Sequence, residues 1–244
     1  MARQRRIAKI AQSLGIRRGI DAVVGSVCEV ETTSPVFHVT FDDGPHPEVT
    51  PAVLDVLDEA GAKATFFLLA DPAKQYPEIV KETIARGHQI GLHGRTHIRL
   101  STASWGVITD EVSKAHAELE EVAGQPVDLF RPPYGAHGLR SLSLVKSRGM
   151  RTILWSVDTD DWKGLTPEEP LKGTTKRIAA GGIGLLHDTP VGGSVADDGT
   201  NGLIRKEELT RALLDEIGER GLRPVSLQEL MSAGEPIRRA KVIR

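Results

Sequence analysis

Two carboxylates stand side by side in Thr40-Phe41-Asp42-Asp43-Gly44-Pro45, at the end of a strand-like run. Such a pair can supply one metal ligand and one general base. Neighbouring strand residues point to opposite faces, so both reach one site only if the strand ends there. An Asp-capped turn is the plainer alternative. In His93-Gly94-Arg95-Thr96-His97, two imidazoles four residues apart can share one side of a turn, and imidazole suits zinc and its neighbours. With an aspartate from another strand end they make a His-His-Asp set that leaves metal positions open for water and substrate. Arg131-Pro132-Pro133-Tyr134-Gly135 is stiffened by two prolines. It reads either as a strand exit with a surface arginine or as a loop that presents a backbone N–H to developing negative charge. Asp158-Thr159-Asp160-Asp161-Trp162 gathers three carboxylates beside an aromatic. That is either a solvated acidic loop or a surface that stacks on sugar rings. Leu185-Leu186-His187-Asp188 ends a buried strand on a histidine, which taken singly reads as a satisfied core residue.

All five segments follow strand-like runs, and the elements that carry them alternate. Strands are expected over 36–41, 64–69, 88–92, 128–130, 151–156, 183–186 and 222–225. Helices are expected near 50–60, 77–86, 104–123, 139–149, 168–180 and 205–220, with a last one after Ser226. Thr50-Pro51 offers a cap followed by a first-turn proline, and Gly61, Gly87 and Gly221 sit where helices should stop. Seven strands alternating with helices predict an α/β fold: a distorted (β/α)7 barrel in a single domain, with an open doubly wound sheet as the alternative. In a βα barrel the loops after the strands meet on one face, where active sites are built.

The 244 residues suffice for one sizeable core. The net charge of −2 gives no sign of a nucleic-acid partner, and the single cysteine, Cys28, excludes an intrachain disulfide. Basic residues crowd the ends: Arg3, Arg5, Arg6, Lys9, Arg17 and Arg18 at the start, and Arg238, Arg239, Lys241 and Arg244 at the close. The expected organisation is a basic amphipathic segment at 1–30, a barrel at 31–233 and a basic tail at 234–244. Ile7, Ile10 and Leu14 lie at helical spacing among the arginines but are too interrupted for a secretory signal. The expectation is a cytoplasmic protein. Residues 1–24 either pack on the barrel or touch the anionic inner face of a membrane.

Together and in order, the five segments resemble those of the polysaccharide deacetylases (carbohydrate esterase family four), from residue 36 to about 230. Thr-Phe-Asp-Asp-Gly-Pro, Arg-Pro-Pro-Tyr-Gly and Asp-x-x-Asp-Trp are the most specific, and Arg223-Pro224-Val225-Ser226-Leu227 resembles the family's final strand. The resemblance implies metal-dependent hydrolysis of an N-acetyl amide on an amino sugar. It implies one divalent metal, usually zinc, with cobalt, manganese or nickel as alternatives, held by Asp43, His93 and His97. By the same likeness Asp42 is the base, Arg131 its orienting partner, and Tyr134 the donor of a backbone N–H to the oxyanion. His187 is then the acid, paired with Asp161, and Trp162 and Leu185 line the pocket for the acetyl methyl. Two positions depart from the pattern. Gly94 replaces a Ser or Thr whose hydroxyl steadies the metal loop, and Gly184 replaces a larger apolar residue, which is expected to widen the floor of the site. Rival readings are a deformylase or deacetylase of a nucleotide- or lipid-linked sugar and a non-catalytic sugar-binding homologue. A metal-free hydrolase of cyclic amides is the third, opposed by His93 and His97.

Overall fold

The structure, a computed structural model, describes residues 25–166, 171–189 and 204–239. Strand β1 (Ser26–Glu31) precedes β2 (Val36–Asp42), α1 (Val49–Glu59), β3 (Ala64–Leu68), α2 (Ala70–Gln75), α3 (Pro77–Ala85) and β4 (Gln89–Leu92). Helix α4 (Trp105–Ile108) runs through a π-helical turn at Thr109–Lys114 into α5 (Ala115–Ala123). Then come β5 (Leu129–Phe130), α6 (Leu139–Ser147), β6 (Arg151–Thr152), β7 (Val157–Asp158) and β8 (Ile183–His187). Helix α7 (Lys206–Glu219), β9 (Arg223–Pro224), α8 (Leu227–Ser232) and β10 (Glu235–Arg239) are the last of the described elements.

The main sheet is parallel, in the order β6-β5-β4-β3-β2-β8-β7, with β9 on the start of β2. Strands β6 and β7 are two ends of one stretch. Residues 151–158 therefore touch β5 first and β8 last, and the sheet curls round on itself. Between those ends Ile153 bridges Val27 of β1, and the Leu154 N–H donates to the Val27 carbonyl at 2.7 Å. This is the distorted seven-position barrel expected from the sequence.

Strand β2 is buried along its whole length, so its period of two sorts side chains between two interiors. Phe37, Val39 and Phe41 face the helices and join the larger core with Phe66, Leu68 and Leu92. Phe41 stacks on Phe66 at 4.9 Å between ring centroids, an arrangement worth about 0.5–1.5 kcal/mol beyond area burial. The other face looks into the barrel, whose smaller core holds Val27, Val36, Phe67, Leu129, Ile153 and Ile183. His38 is a satisfied member of that interior, bonded to the Val225 carbonyl and to Thr65 Oγ1.

Several expectations need correction. Thr50 lies inside α1 rather than capping it, and its hydroxyl donates to Asp188 Oδ2 at 2.6 Å. The cap role passes to His46, whose Nδ1 accepts from the Glu48 and Val49 N–H groups. The helix expected at 168–180 is, in its described part, a short 3-10 turn at Thr175–Arg177. Gly184 does not floor the site. Strand parity turns it outward, where a Cβ would stand 3.0 Å from the Phe37 ring, so it makes room for core packing. Ser26–Glu31 and Glu235–Arg239, read largely as flanking segments, pair antiparallel as a ribbon. Residues 1–24, with their expected membrane contact, lie outside the described residues, as do 167–170 and 240–244. No helix among the described residues is long and apolar enough to cross a membrane.

Candidate metal centre and active site

Among the described residues, four other than glycine adopt left-handed backbone: Asp43 (φ 78°), His97 (φ 64°), Tyr134 (φ 60°) and Asp160 (φ 59°). Each costs roughly 1–3 kcal/mol and persists only where its surroundings enforce it. The first three are residues singled out from sequence. Asp42 is the last residue of β2, and the positive φ of Asp43 swings the next carboxylate round, so both aspartates face one site. The turn is held from behind by Asp188, which is fully buried and accepts from the Gly44 N–H at 3.0 Å and from Thr50. A side chain at Gly44 would collide with that carboxylate. Burial, with Asp43 adding to it, pushes Asp188 up to about 7 against its hydrogen bonds from Thr50 and Gly44.

Asp43, His93 and His97 each offer a ligand atom, and the three atoms lie within 4.8 Å of one another. Both imidazole Nε2 atoms stand 3.4 Å from Asp43 Oδ1. His93 Nδ1 lies 2.8 Å from the Arg131 carbonyl and must carry the proton there, which leaves Nε2 as the free lone pair. Asp43 Oδ1 is buried and has no hydrogen-bond partner among the described residues. An orphaned carboxylate oxygen between two imidazole Nε2 atoms is what a divalent cation satisfies, so the residues fit a metal. Burial pushes Asp43 up, but His93, His97 and His187 outweigh it and hold it well below the usual carboxylate range. Burial also opposes charge on His93, yet Asp42 and Asp43 raise it overall, whereas burial leaves His97 lowered.

Gly94 has φ +99°, and a Cβ there would lie 2.9 Å from Glu111 Oε2. That carboxylate does the work expected of the missing hydroxyl. It accepts from the Arg95 N–H at 2.7 Å, the Thr96 N–H at 3.1 Å and Thr96 Oγ1 at 2.7 Å, which pins the loop between the two histidines. Glu111 is buried on the π-helical turn. Sequence reasoning missed it because an acidic residue within a long helix reads as solvated.

Arg131 is not a surface residue. It is fully buried in the barrel, its guanidinium 4.1 Å from the Phe67 ring centroid. Its donors go to Asp42 Oδ1 at 2.8 Å, Thr40 Oγ1 at 2.7 Å and the carbonyls of Ile153 and Leu154. A rigid fork used in full leaves Asp42 little freedom of orientation. Asp42 Oδ2 faces His93 Nε2 at 3.7 Å, so the carboxylate reaches from the arginine to the edge of the Asp43, His93 and His97 group.

His187 is the register partner of Asp42 on the neighbouring strand, so the two emerge side by side. Its Nδ1 donates to Asp161 Oδ1 at 2.8 Å and its backbone N–H to Asp161 Oδ2 at 2.9 Å. Burial acts to lower His187, but the bond and charge of Asp161, with Asp42 and Asp43, raise it to about 9. Asp161, raised by burial but more strongly lowered by His187 and Lys206, falls to about 2. The ring is thus held protonated with Nε2–H available to a proton acceptor.

Tyr134 lies over His97, 4.4 Å between ring centroids, and its backbone N–H finds no acceptor among the described residues. Arg99 also stacks on this ring, its guanidinium carbon 4.6 Å from the centroid. Trp162 is half exposed, with the Lys163 ammonium 4.8 Å from its ring centroid. Leu185 is buried on the inner strand face, two residues before His187. All ten residues named from sequence thus belong to the loops and strand ends of one barrel mouth or the wall beneath it.

The family model for polysaccharide deacetylase matches residues 29–153. A chitooligosaccharide deacetylase of Azorhizobium caulinodans is 38% identical over 168 residues, covering 68% of this chain and 80% of its own. A peptidoglycan-N-acetylglucosamine deacetylase of Bacillus cereus is 32% identical over 205 residues, covering 83% and 91%. Among solved structures, a mutant of BA3943, described as a CE4 family pseudoenzyme with restored enzymatic activity, matches with a TM-score of 0.75 at 26% identity, over 87% of this chain and 73% of that one. The chain belongs to the polysaccharide deacetylase family, whose enzymes are hydrolases of carbon–nitrogen bonds other than peptide bonds.

Proposed function

We propose that the chain removes the acetyl group from N-acetylglucosamine-type units of a glycan, using one zinc ion held by Asp43, His93 and His97. The observation that carries this reading is the orphaned Asp43 oxygen between two imidazoles, with Asp42 and His187 as register partners beside it. When bound, the cation polarises the acetamido carbonyl and acidifies water. Asp42, fixed by Arg131, takes a proton from the attacking water as its oxygen bonds to the acetyl carbon. The Tyr134 N–H donates to the carbonyl oxygen as negative charge gathers there. His187 Nε2 gives its proton to the amide nitrogen as the C–N bond breaks, so acetate leaves with the water oxygen and the sugar keeps a free amine. Trp162 and Leu185 border the acetyl methyl. A non-catalytic sugar binder has no use for an oriented base and a protonated imidazole on adjacent strands.

One observation favours an anionic substrate over a neutral one. Arg99 is exposed, stacked on Tyr134, and makes no ion pair with any described residue. A carboxylate or phosphate on the sugar next to the acetamido group would find a cation there. The test is acetate release by zinc-loaded protein from chitooligosaccharides, peptidoglycan fragments and a nucleotide-linked N-acetylglucosamine. The expected result is activity that chelation abolishes and zinc restores. Arg99→Ala should raise KM several-fold for the anionic substrates and leave chitooligosaccharides unaffected. No acetate from any substrate sinks the proposal, and equal loss on all three sinks the anionic preference.

Glu111→Ala should weaken zinc binding about 10–100-fold, the range for residues that orient metal ligands from behind. Competition with a chelating dye reads this directly. An unchanged affinity in folded protein would show that the loop at 94–97 holds its shape without Glu111.

A further inference from the structure

Lys206 is the first residue of α7, where a cation opposes the helix dipole, and it is nevertheless buried, with 7% of its surface exposed. A lysine that breaks a local rule and gives up its hydration needs a partner. It has one: Nζ donates to Asp161 Oδ2 at 2.7 Å and reaches the Asp161 carbonyl at 3.4 Å. Asp161, itself 2% exposed, is thereby gripped on both oxygens, by the His187 ring on Oδ1 and by Lys206 and the His187 N–H on Oδ2.

We propose that Lys206 is the third member of the proton-donating relay: it positions Asp161 against His187 and takes up part of its negative charge, making His187 a readier acid. Two cations share one buried carboxylate. A proton on the ring is therefore held less tightly than by an aspartate of its own, while the geometry is held more firmly. His187 faces Asp161 and Asp158 from the β7 side, Asp42 at the end of β2 and Asp43 in the turn after it, His97 from the loop after β4, and through Asp161 it feels Lys206 from α7. Four carboxylates favour the protonated ring, and among these groups Lys206 is the one that comes from a helix beyond the barrel loops. Lys206 is a positioning residue, acting through Asp161, and its effect on turnover rests on the deacetylase reading given above.

The sign of one measurement separates this role from a merely structural one. The imidazole titration of His187 is followed by NMR in zinc-loaded full-length protein for wild type and for Lys206→Gln, Lys206→Met and Lys206→Arg. Lys206→Gln keeps a donor to Asp161 and loses the charge, so it stands even if Lys206→Met fails to fold. The expected result is a midpoint about one unit higher in the Gln and Met variants, and near wild type in the Arg variant. The alkaline limb of kcat/KM should move the same way, with kcat about threefold lower and KM little changed. If Lys206 only braces the loop, its loss loosens Asp161 and the midpoint falls. A fall, or no shift in folded Lys206→Gln, overturns the proposal. The titration needs no substrate, so a raised midpoint in a protein that releases no acetate would support the relay and refute the deacetylase reading.

Discussion

Asp42→Asn is expected to lower kcat by about 10³-fold while the protein still carries one zinc per chain. Asparagine has the shape of aspartate and can still accept from Arg131 Nη1, a bond of 2.8 Å in the native site. It cannot take a proton from water, and general-base assistance of this kind is worth about 10²–10⁴-fold. The change has a second consequence, because Arg131 is fully buried and loses its only carboxylate partner among the described residues. An uncompensated buried charge costs about 3–5 kcal/mol when a pair is broken. Here the cost is expected near the low end. Thr40, the Ile153 and Leu154 carbonyls and the Phe67 ring still surround the guanidinium. The variant should therefore melt earlier, fold at 25 °C, and show zinc by elemental analysis. A folded variant within a few-fold of wild-type turnover would remove Asp42 from the role of base.

The barrel was legible because β3 and β8 are buried on both faces and read as largely apolar runs between turn residues, while in β2 Phe37, Val39 and Phe41 alternate with His38 and Thr40. The β1–β10 ribbon was not legible. Glu235-Pro236-Ile237-Arg238-Arg239 has neither alternation nor β-rich composition, and it is a strand because the edge of β1, more than 200 residues away in sequence, supplies its hydrogen bonds. Helix α2 (Ala70–Gln75) escaped because six residues with an internal proline carry almost no period. The groups with chemistry of their own could be read at strand ends: two aspartates, three histidines and an arginine. What lay behind them could not. Glu111, Lys206 and Asp188 act through burial, and sequence cannot tell a buried acid or lysine from a solvated one. Gly94 makes the same point: its departure from the family pattern suggested a looser metal loop, and the compensating carboxylate lies 17 residues further on.

His97→Ala should abolish zinc binding and turnover together, and should do so without unfolding the chain. With His97 gone, Asp43 and His93 offer two ligand atoms instead of three, too few to strip a hydrated cation at micromolar concentration. Affinity is expected to fall roughly 10³-fold or more. The metal-free fold loses little. The His97 ring is half-buried, and among the described residues its partner beyond the ring contacts with Tyr134 and His93 is the Asp43 oxygen it would share with the cation. Alanine inherits a backbone at φ 64°, so a penalty of roughly 1 kcal/mol remains. Thermal melts with and without zinc separate the two effects. A ligand at 100 times its Kd adds about 2.7 kcal/mol to the folded state. For a domain of this length that is a rise in Tm of about 5–10 °C. Wild type should show that rise and His97→Ala should not, while their metal-free melting temperatures stay within a few degrees. An equal zinc-induced rise in the variant, or one zinc per chain after gel filtration, would place the metal elsewhere and with it the chemistry assigned to this barrel mouth.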